Sequence, residues 1–528
     1  MADIQTAFPT ILLLGGIGAA LFGFIWLGLL RYCAGCFVWF AIWTFWLALL
    51  ALTLYAFAKA GILNVSALAT QATAQTGGAI PDLNNGTMDT TSDSLTGLGP
   101  AGEQSEKDLF TAIAVVSAVV FVVYMVVIIF ARKKIKVAVA ILKETSKAVA
   151  HMPLIMGFPL TTLVGILAMF LAWSWTFGNI FTMGAVVVDD FTSAAGVDVP
   201  ANTTAAVSNY VTSPLRDYVL AFLVFALFWM NAFIQGVATM TICGAFASWY
   251  WSETDPDSGK KIYKDSSPVL ASLWRTIRYN LGSVAFGSLI IAVCQFLRAV
   301  LGYVSRKTKG AQGKNALLKC VFKILNCCLY CFEKCVRYVS RKAYIVIAIK
   351  GSGFCSATFT VFRLLLSNGG MIAIVNIIGG MMMVLGKLLI VACTVTLGYL
   401  VFQFYPPLTT GDFALTGTVL PLVLIGLLAW FIATGFLTVY DQGIDTLLIS
   451  YIVDLKENES GQYMFSESLA RAAGKGGQTR SERDGKSAAE AESSSKYVAG
   501  GHFKDPEAEE DGDGGPVVNG NVTAGELI

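Results

Sequence analysis

The feature that most constrains this chain is a series of long apolar runs, at residues 10–30, 36–58, 109–130, 153–177, 217–250, 280–301, 371–402 and 417–440. Each is continuous rather than alternating, and a soluble helix with a polar face does not present such a pattern. A run of roughly 20 apolar residues is what one helical crossing of a bilayer needs, because lipid offers no partner to an unpaired backbone amide or carbonyl. Charged residues make up only 14% of the 528 positions, where a soluble chain carries about 25%. The fold expected is therefore all-α, a polytopic membrane bundle of about 8–10 transmembrane helices. The runs 217–250 and 371–402 exceed one membrane thickness, so each is expected to tilt, break or extend into water, and neither is long enough for two spans. The flank MADIQTAFPT has no basic segment, so a cleavable signal peptide is not expected.

The loops supply an orientation. Residues 131–147 (ARKKIKVAVAILKETSK) carry six Lys or Arg, which the positive-inside rule places in the cytosol. Loop 59–108 is rich in Gly, Ser and Thr, and loop 178–215 has Asp189, Asp190 and Asp198 with no basic residue, so both are expected outside. Each holds a glycosylation sequon, at Asn85 and Asn202. Residues 1–455 form the expected membrane domain, and 456–528, rich in Gly, Ser, Glu and Lys, the expected disordered cytosolic tail. Segment 302–342 is harder to place. It has ten Lys or Arg against one acid, Glu333, yet loop 251–279 is basic too, and 280–301 lies between them. Either 280–301 re-enters or breaks, or something within 302–366 crosses and leaves some Lys outside. The first is the reading expected, and it makes 302–342 an amphipathic cytosolic helix, of the kind that lies on anionic lipid.

The same residues exclude several classes. A net charge of +2 gives no nucleic-acid footprint. His151 and His502 lie far apart, leaving no zinc or Ser/His/Asp set, and nothing calls for a cofactor or an enzyme. Cys320, Cys327, Cys328, Cys331 and Cys335 recur at helical spacing. Cys328 and Cys331 resemble a metal-ligand pair, but juxtamembrane acylation and plain interfacial packing are the other readings, and the absence of a second pair disfavours metal.

At these cysteines the sequence begins to resemble a known family. NCCLYCFEKCVRYVSRKAYIVIAIKGSGFCSA (326–357), GAFASWYWS (244–252), RTIRYNLGSVAFGSLIIAVCQFLR (275–298), LGKLLIV (385–391), TVYDQGIDTLLISYIVD (438–454) and RKKIKVAVAILKETSKAV (132–149) are similar, in order, to blocks of the choline transporter-like solute carriers. The resemblance begins at AFPTILLLGGIG, which looks like that family's second helix. It thus implies a first helix and a large extracellular loop in family members that have no counterpart here. It also implies a multi-pass plasma-membrane transporter of a small organic cation.

Choline is a permanent cation with no proton to donate, so its head is held by aromatic faces at about 0.5–2 kcal/mol each, and its hydroxyl needs one polar partner. In run 217–250, Phe228, Asn231 and Gln235 share a helical face, and Trp229 borders it. With Trp175 from the preceding run they make the candidate substrate site. For Asn231 and Gln235 an interhelical hydrogen bond is the structural alternative, and for Trp173, Trp175, Trp249, Tyr250 and Trp251 it is an interfacial aromatic belt. Lys387 lies inside an apolar run, where a lysine costs about 2.5–3.5 kcal/mol. It is a candidate coupling or gating residue, paired with Asp441 or Asp445, unless a bend at Gly386 lets it snorkel to a surface. The function expected is transport of choline or a related organic cation by alternating access. The alternatives are a carrier of ethanolamine, thiamine pyrophosphate or another solute, or a non-transporting scaffold or channel.

Overall fold

Apolar runs of this length leave the backbone only its own carbonyls as partners, and in a computed structural model of the chain they are helices. The structure describes residues 2–60, 100–182, 184–189, 207–212, 215–253, 261–262, 267–308, 316–404, 417–457, 464 and 466–474. In chain order the helices are α1 (Ala2–Leu12), α2 (Ala19–Lys59), α3 (Pro100–His151), α4 (Phe158–Phe181), α5 (Leu215–Trp251), α6 (Pro268–Arg275), α7 (Leu281–Lys307), α8 (Ala316–Lys350), α9 (Phe354–Phe404), α10 (Val419–Glu457) and α11 (Glu467–Ala473). A π-helical turn, Leu13–Gly18, joins α1 to α2, and another, Thr276–Asn280, joins α6 to α7. Seven helical segments among the described residues are long and apolar enough to cross a membrane. The first, Ala7–Lys59, contains both of the first two apolar runs, merged through a kink at Cys33. Run 371–402 belongs to a helix that starts at Phe354 and kinks at Asn368.

Among the described residues the only strands are β1 (Gly184–Asp189) and β2 (Val207–Thr212), an antiparallel ribbon pairing Gly184 with Thr212 and Asp189 with Val207. It lies inside the loop expected outside the membrane. Its β-branched residues in GAVVVD and VSNYVT explain it, because that composition suits a pleated ribbon once the chain leaves the apolar run.

The chain divides into two compact units, one of Tyr32–Val139 and the other of Met1–Arg31 with Ala140–Ile528. In the first, α2 and α3 run antiparallel as a helical hairpin: Tyr124 donates to the Ile42 carbonyl at 3.1 Å, and Phe121 packs on Trp46. Val115, Val116, Val119, Val122, Val123, Val126 and Val127 are exposed along one side of α3, over an arc of about 140°, and an apolar face of that extent is stable where lipid is the solvent.

The second unit is a bundle. Trp173 of α4 donates to the Leu223 carbonyl of α5 at 2.9 Å, Gly236 of α5 meets Val284 of α7, and α10 lies along α9 with Gly398 against Ile425 and Gly379 against Ile444. Helix α8 runs back along α7, from Glu333 against Arg298 to Tyr344 against Val284. Helix α7 is continuous over its 27 residues, so 280–301 is not broken. The core contains the fully buried Trp26, Phe246 and Tyr440. The Tyr440 hydroxyl donates to the Leu142 carbonyl at 2.6 Å and lies 2.9 Å from Ser146 Oγ, which ties α10 to the end of α3.

Where α10 meets α5 and the end of α3, Gly443 makes room for the Phe246 ring and the Thr145 methyl, and a β-carbon there would lie 2.6 Å from Phe246 Cζ and 2.8 Å from Thr145 Cγ2. Gly443→Ala should therefore cost about 1–3 kcal/mol, the range for overpacking. Gly28→Ala, with open space at its β-position, should not. Thermal unfolding of the two variants in detergent checks this, and equal midpoints would refute the close approach.

Candidate substrate site and buried ion pairs

Helix α5 carries four of the five residues expected at the substrate site. Phe228, Trp229 and Asn231 are half-buried and Gln235 is exposed. Trp229 turns toward α7, and its Nε1–H donates to the Ala285 carbonyl at 3.3 Å. Phe225 packs edge-on against Phe296 of α7, with centroids 5.6 Å apart, and lies 6.4 Å from the Trp229 ring. The α5–α7 seam is thus aromatic. Asn231 and Gln235 bond one another, Gln235 Nε2 donating to Asn231 Oδ1 at 2.9 Å. Their mutual bond along one helix is the physical reason that neither the expected interhelical bond nor a lone polar group in lipid is found.

Trp175 does not join them. It is 77% exposed and lies about 200° around α4 from Trp173, the residue that bonds α5. Trp249 and Tyr250 are buried rather than in an interfacial belt. Trp249 Nε1–H donates to His151 Nδ1 at 3.0 Å, and Tyr250 donates to Asp454 Oδ2 at 3.0 Å.

The acids of α10 find partners that the sequence reading left at the surface. Arg341 of α8 bonds Asp441 at 2.8 Å and lies 3.6 Å from Asp445. Lys342, only 2% exposed, is ion-paired with Asp445. Neither acid pairs with Lys387, whose ammonium instead sits over the Trp430 ring, 5.9 Å from its centroid. The physical reason is position: Asp441 and Asp445 share one face of α10, four residues apart, and α8 presents two adjacent cations to it. Tyr338, whose ring lies 5.4 Å from the Lys342 ammonium, accepts from Asn376 of α9 at 3.2 Å. Segment 302–342 is therefore not one exposed basic face. Residues 302–307 complete α7, and α8 passes from exposed cysteines at 320–335 to a fully buried stretch at 342–347. The signal available in the sequence was the pair of carboxylates in an apolar helix, which demands two cations.

A second polar set closes the end of the bundle where α3, α5 and α10 stop. Asp454, fully buried, also accepts from the Met464 N–H at 2.9 Å, and Glu144 holds Lys147 at 2.8 Å and the Ser468 hydroxyl at 2.6 Å. Residues 464 and 466–474, in the stretch expected to be disordered, are thus docked, with Leu469 and Ala470 buried. Lys261 donates to the Ser252 carbonyl at 2.7 Å, and burial lowers its pKa, against the pull of Glu144. Nearby, a cavity of about 160 Å³ is lined by residues of α5, α6, the following π turn and the end of α8, and by none of the five expected substrate residues. Among the described residues no group of three metal-ligating side chains converges. Asn85 and Asn202 lie outside the described residues.

Seven span-capable helical segments among the described residues and charges paired inside the bundle define an integral membrane protein of the polytopic helical class. A family model described as plasma-membrane choline transporter matches residues 115–456. Choline transporter-like protein 2 of Xenopus laevis is 31% identical over 406 residues, which cover 71% of this chain and 56% of the relative. Choline transporter-like protein 4 of Homo sapiens is 31% identical over 402 residues, covering 70% and 56%. Choline transporter-like protein 2 of Dictyostelium discoideum is 31% identical over 362 residues, covering 68% and 53%. The chain belongs to the choline transporter-like family. It spans about half the length of the curated relatives it matches.

Asp445→Asn leaves Lys342 charged and buried beside a neutral amide, a loss expected to cost about 3–5 kcal/mol. The double variant Lys342→Met/Asp445→Leu should recover more than half of that loss. Thermal unfolding in detergent reads both, and a single variant as stable as the parent would show the pair to be dispensable.

Proposed function

We propose that the chain carries choline or a similar quaternary ammonium across the membrane by alternating access. The observation that carries the reading is the family match over 115–456, whose span includes the aromatic α5–α7 seam. Trp229 lies in that seam, and Phe228, Asn231 and Gln235 share the adjoining face of α5; the rings suit a methylated cation that offers no N–H, and the Asn231–Gln235 amide pair suits the hydroxyl. Trp175 has no part in this version of the site. The ion pairs of Arg341 and Lys342 with Asp441 and Asp445 form the gating contact between α8 and α10, and Lys387 stands apart from them in α9 as the coupling candidate.

The proposed orientation puts the ends of α3, α5 and α10 in the cytosol, as the basic stretch 131–147 suggests, and loops 59–108 and 178–215 outside. Because α8 runs back along α7, the packing favours the second alternative left open by the charge pattern: α8 crosses, and its first turns, with Lys319, lie outside. With the exposed cysteines replaced by serine, a single Cys at Lys319 should react with an impermeant maleimide on intact cells. A Cys at Lys136 should react only after permeabilisation. Labelling of position 136 in sealed cells would reject the orientation, and failure at 319 would restore a cytosolic basic helix.

For the substrate site, Trp229→Ala at matched surface expression should raise the apparent KM for choline about 10- to 100-fold, each decade being about 1.4 kcal/mol. Trp229→Phe should keep most of the affinity, and Asn231→Leu should harm choline more than an analogue lacking the hydroxyl. Uptake of labelled choline measures all three, with ethanolamine and thiamine pyrophosphate as competitors. An unchanged KM in Trp229→Ala would remove the site.

A further inference from the structure

Helix α6 and the π turn after it are amphipathic in an unusual sense. Val269, Ser272 and Thr276 are buried, while Leu270, Trp274 and Ile277, spaced four and three residues apart, are exposed. Tyr279, also exposed, follows them. An exposed Trp, Tyr, Leu and Ile stripe at the end of a membrane bundle is what an interfacial helix offers to the boundary between headgroups and acyl chains.

Beside that stripe lies the cavity of about 160 Å³. Its polar lining is Ser272, Arg275, Thr276, Tyr279, Asn280 and Lys350, with no Asp or Glu among the described residues that line it. Arg275 is half-buried and gives one N–H to Ser248 Oγ at 2.7 Å, out of the five a guanidinium carries. Ser272 donates to the Thr241 carbonyl at 2.7 Å and Thr276 to the Ser272 carbonyl at 2.9 Å, which fixes the wall behind Arg275. Lys350 is ion-paired with Glu457 across the rim. Both members of that pair are over a third exposed, where an ion pair is worth little and a stronger anion displaces it.

Two cations facing a cavity with no acid on its wall repel a quaternary ammonium and attract an anion. A guanidinium fork beside an ammonium, hydroxyls and an amide suits the oxygens of a phosphate. We propose that this cavity seats the phosphate-bearing headgroup of an anionic membrane lipid, with the acyl chains lying along Leu270, Trp274 and Ile277. The exposed apolar stripe is what selects a lipid over a soluble phosphate, since a free anion would use the cavity alone. This inference does not depend on which solute the protein carries.

The test uses the full chain purified in a nonionic detergent and native mass spectrometry. The probes are phosphatidylglycerol, phosphatidylcholine with the same acyl chains, and inorganic phosphate. Phosphatidylglycerol should be retained about tenfold more than phosphatidylcholine, from the attraction of two basic side chains. The Arg275→Gln/Lys350→Gln variant should lose that preference. Should the double variant unfold, Lys350→Gln alone, at an exposed position, should still lower the preference several-fold at an unchanged thermal midpoint. Equal retention of the two lipids overturns the proposal. So does a preference that survives both variants. Displacement of phosphatidylglycerol by an equal concentration of inorganic phosphate would assign the cavity to a soluble anion and overturn the lipid reading.

Discussion

A charge removed from water inside a membrane must be answered by another charge or by polar groups of the protein, because lipid supplies neither. That requirement organises the second unit. Asp445 is buried and Lys342 more so, and each is tolerable only beside the other. Their pairing fixes α8 against α10 at one register, since a slip of one residue would rotate Arg341 and Lys342 about 100° away from the carboxylates. With that register set, the apolar residues that follow, Ala343 to Ile347, enter the core, and the cysteine-bearing turns before it stay out. Tyr344 then reaches Val284 of α7, and Gly287 leaves room for it. One electrostatic contact thus decides the position of a helix whose composition alone reads as a surface element.

The same rule applies at the end of the bundle. Glu144 and Asp454 are buried, and each recruits a partner from the segment after α10 as well as from the helices: Ser468 and Lys147 for one, Met464 and Tyr250 for the other. Residues 464 and 466–474, in a stretch whose composition has too little apolar surface to order itself, are held here by two carboxylates that take further donors from it.

The class of fold was legible in the sequence because span length and hydropathy follow from the bilayer itself, without tertiary detail. All eight apolar runs fall in helical segments, the first passing through the π turn Leu13–Gly18 and the last becoming helical at Val419. What the sequence concealed is what depends on pairing between distant residues. Arg341 and Lys342 close a basic run and look solvated, and only the position of α10 makes them core. Asn231 and Gln235 are four apart and could have been recognised as a mutual pair from spacing alone. Trp175 and Trp173 are both aromatic and near one helix end, and nothing local says which of them faces α5. The ribbon of β1 and β2 was missed because its two halves lie eighteen or more residues apart in a loop read only for charge.

The two candidate binding places on the bundle have opposite electrostatic character, and both involve α5. The stretch Phe228–Gln235 of α5 offers ring faces and amides, and the cavity that begins at Met240 and Gly244 offers Arg275 and Lys350. From Gln235 to Gly244 is about 14 Å along a helix. Arg275 lies further on, bonded to Ser248, about 20 Å along α5 from Gln235, where one cation raises the energy of another by about 0.8 kcal/mol at an effective dielectric constant near 20; Lys350, paired with Glu457, adds little. An unoccupied basic cavity would therefore oppose a cationic solute approaching the same end of the bundle, and an anionic headgroup seated there would cancel most of that opposition. The lipid would then act on the passage of a cation without touching it, through the field it removes, and its effect would vanish for a neutral analogue of the same shape.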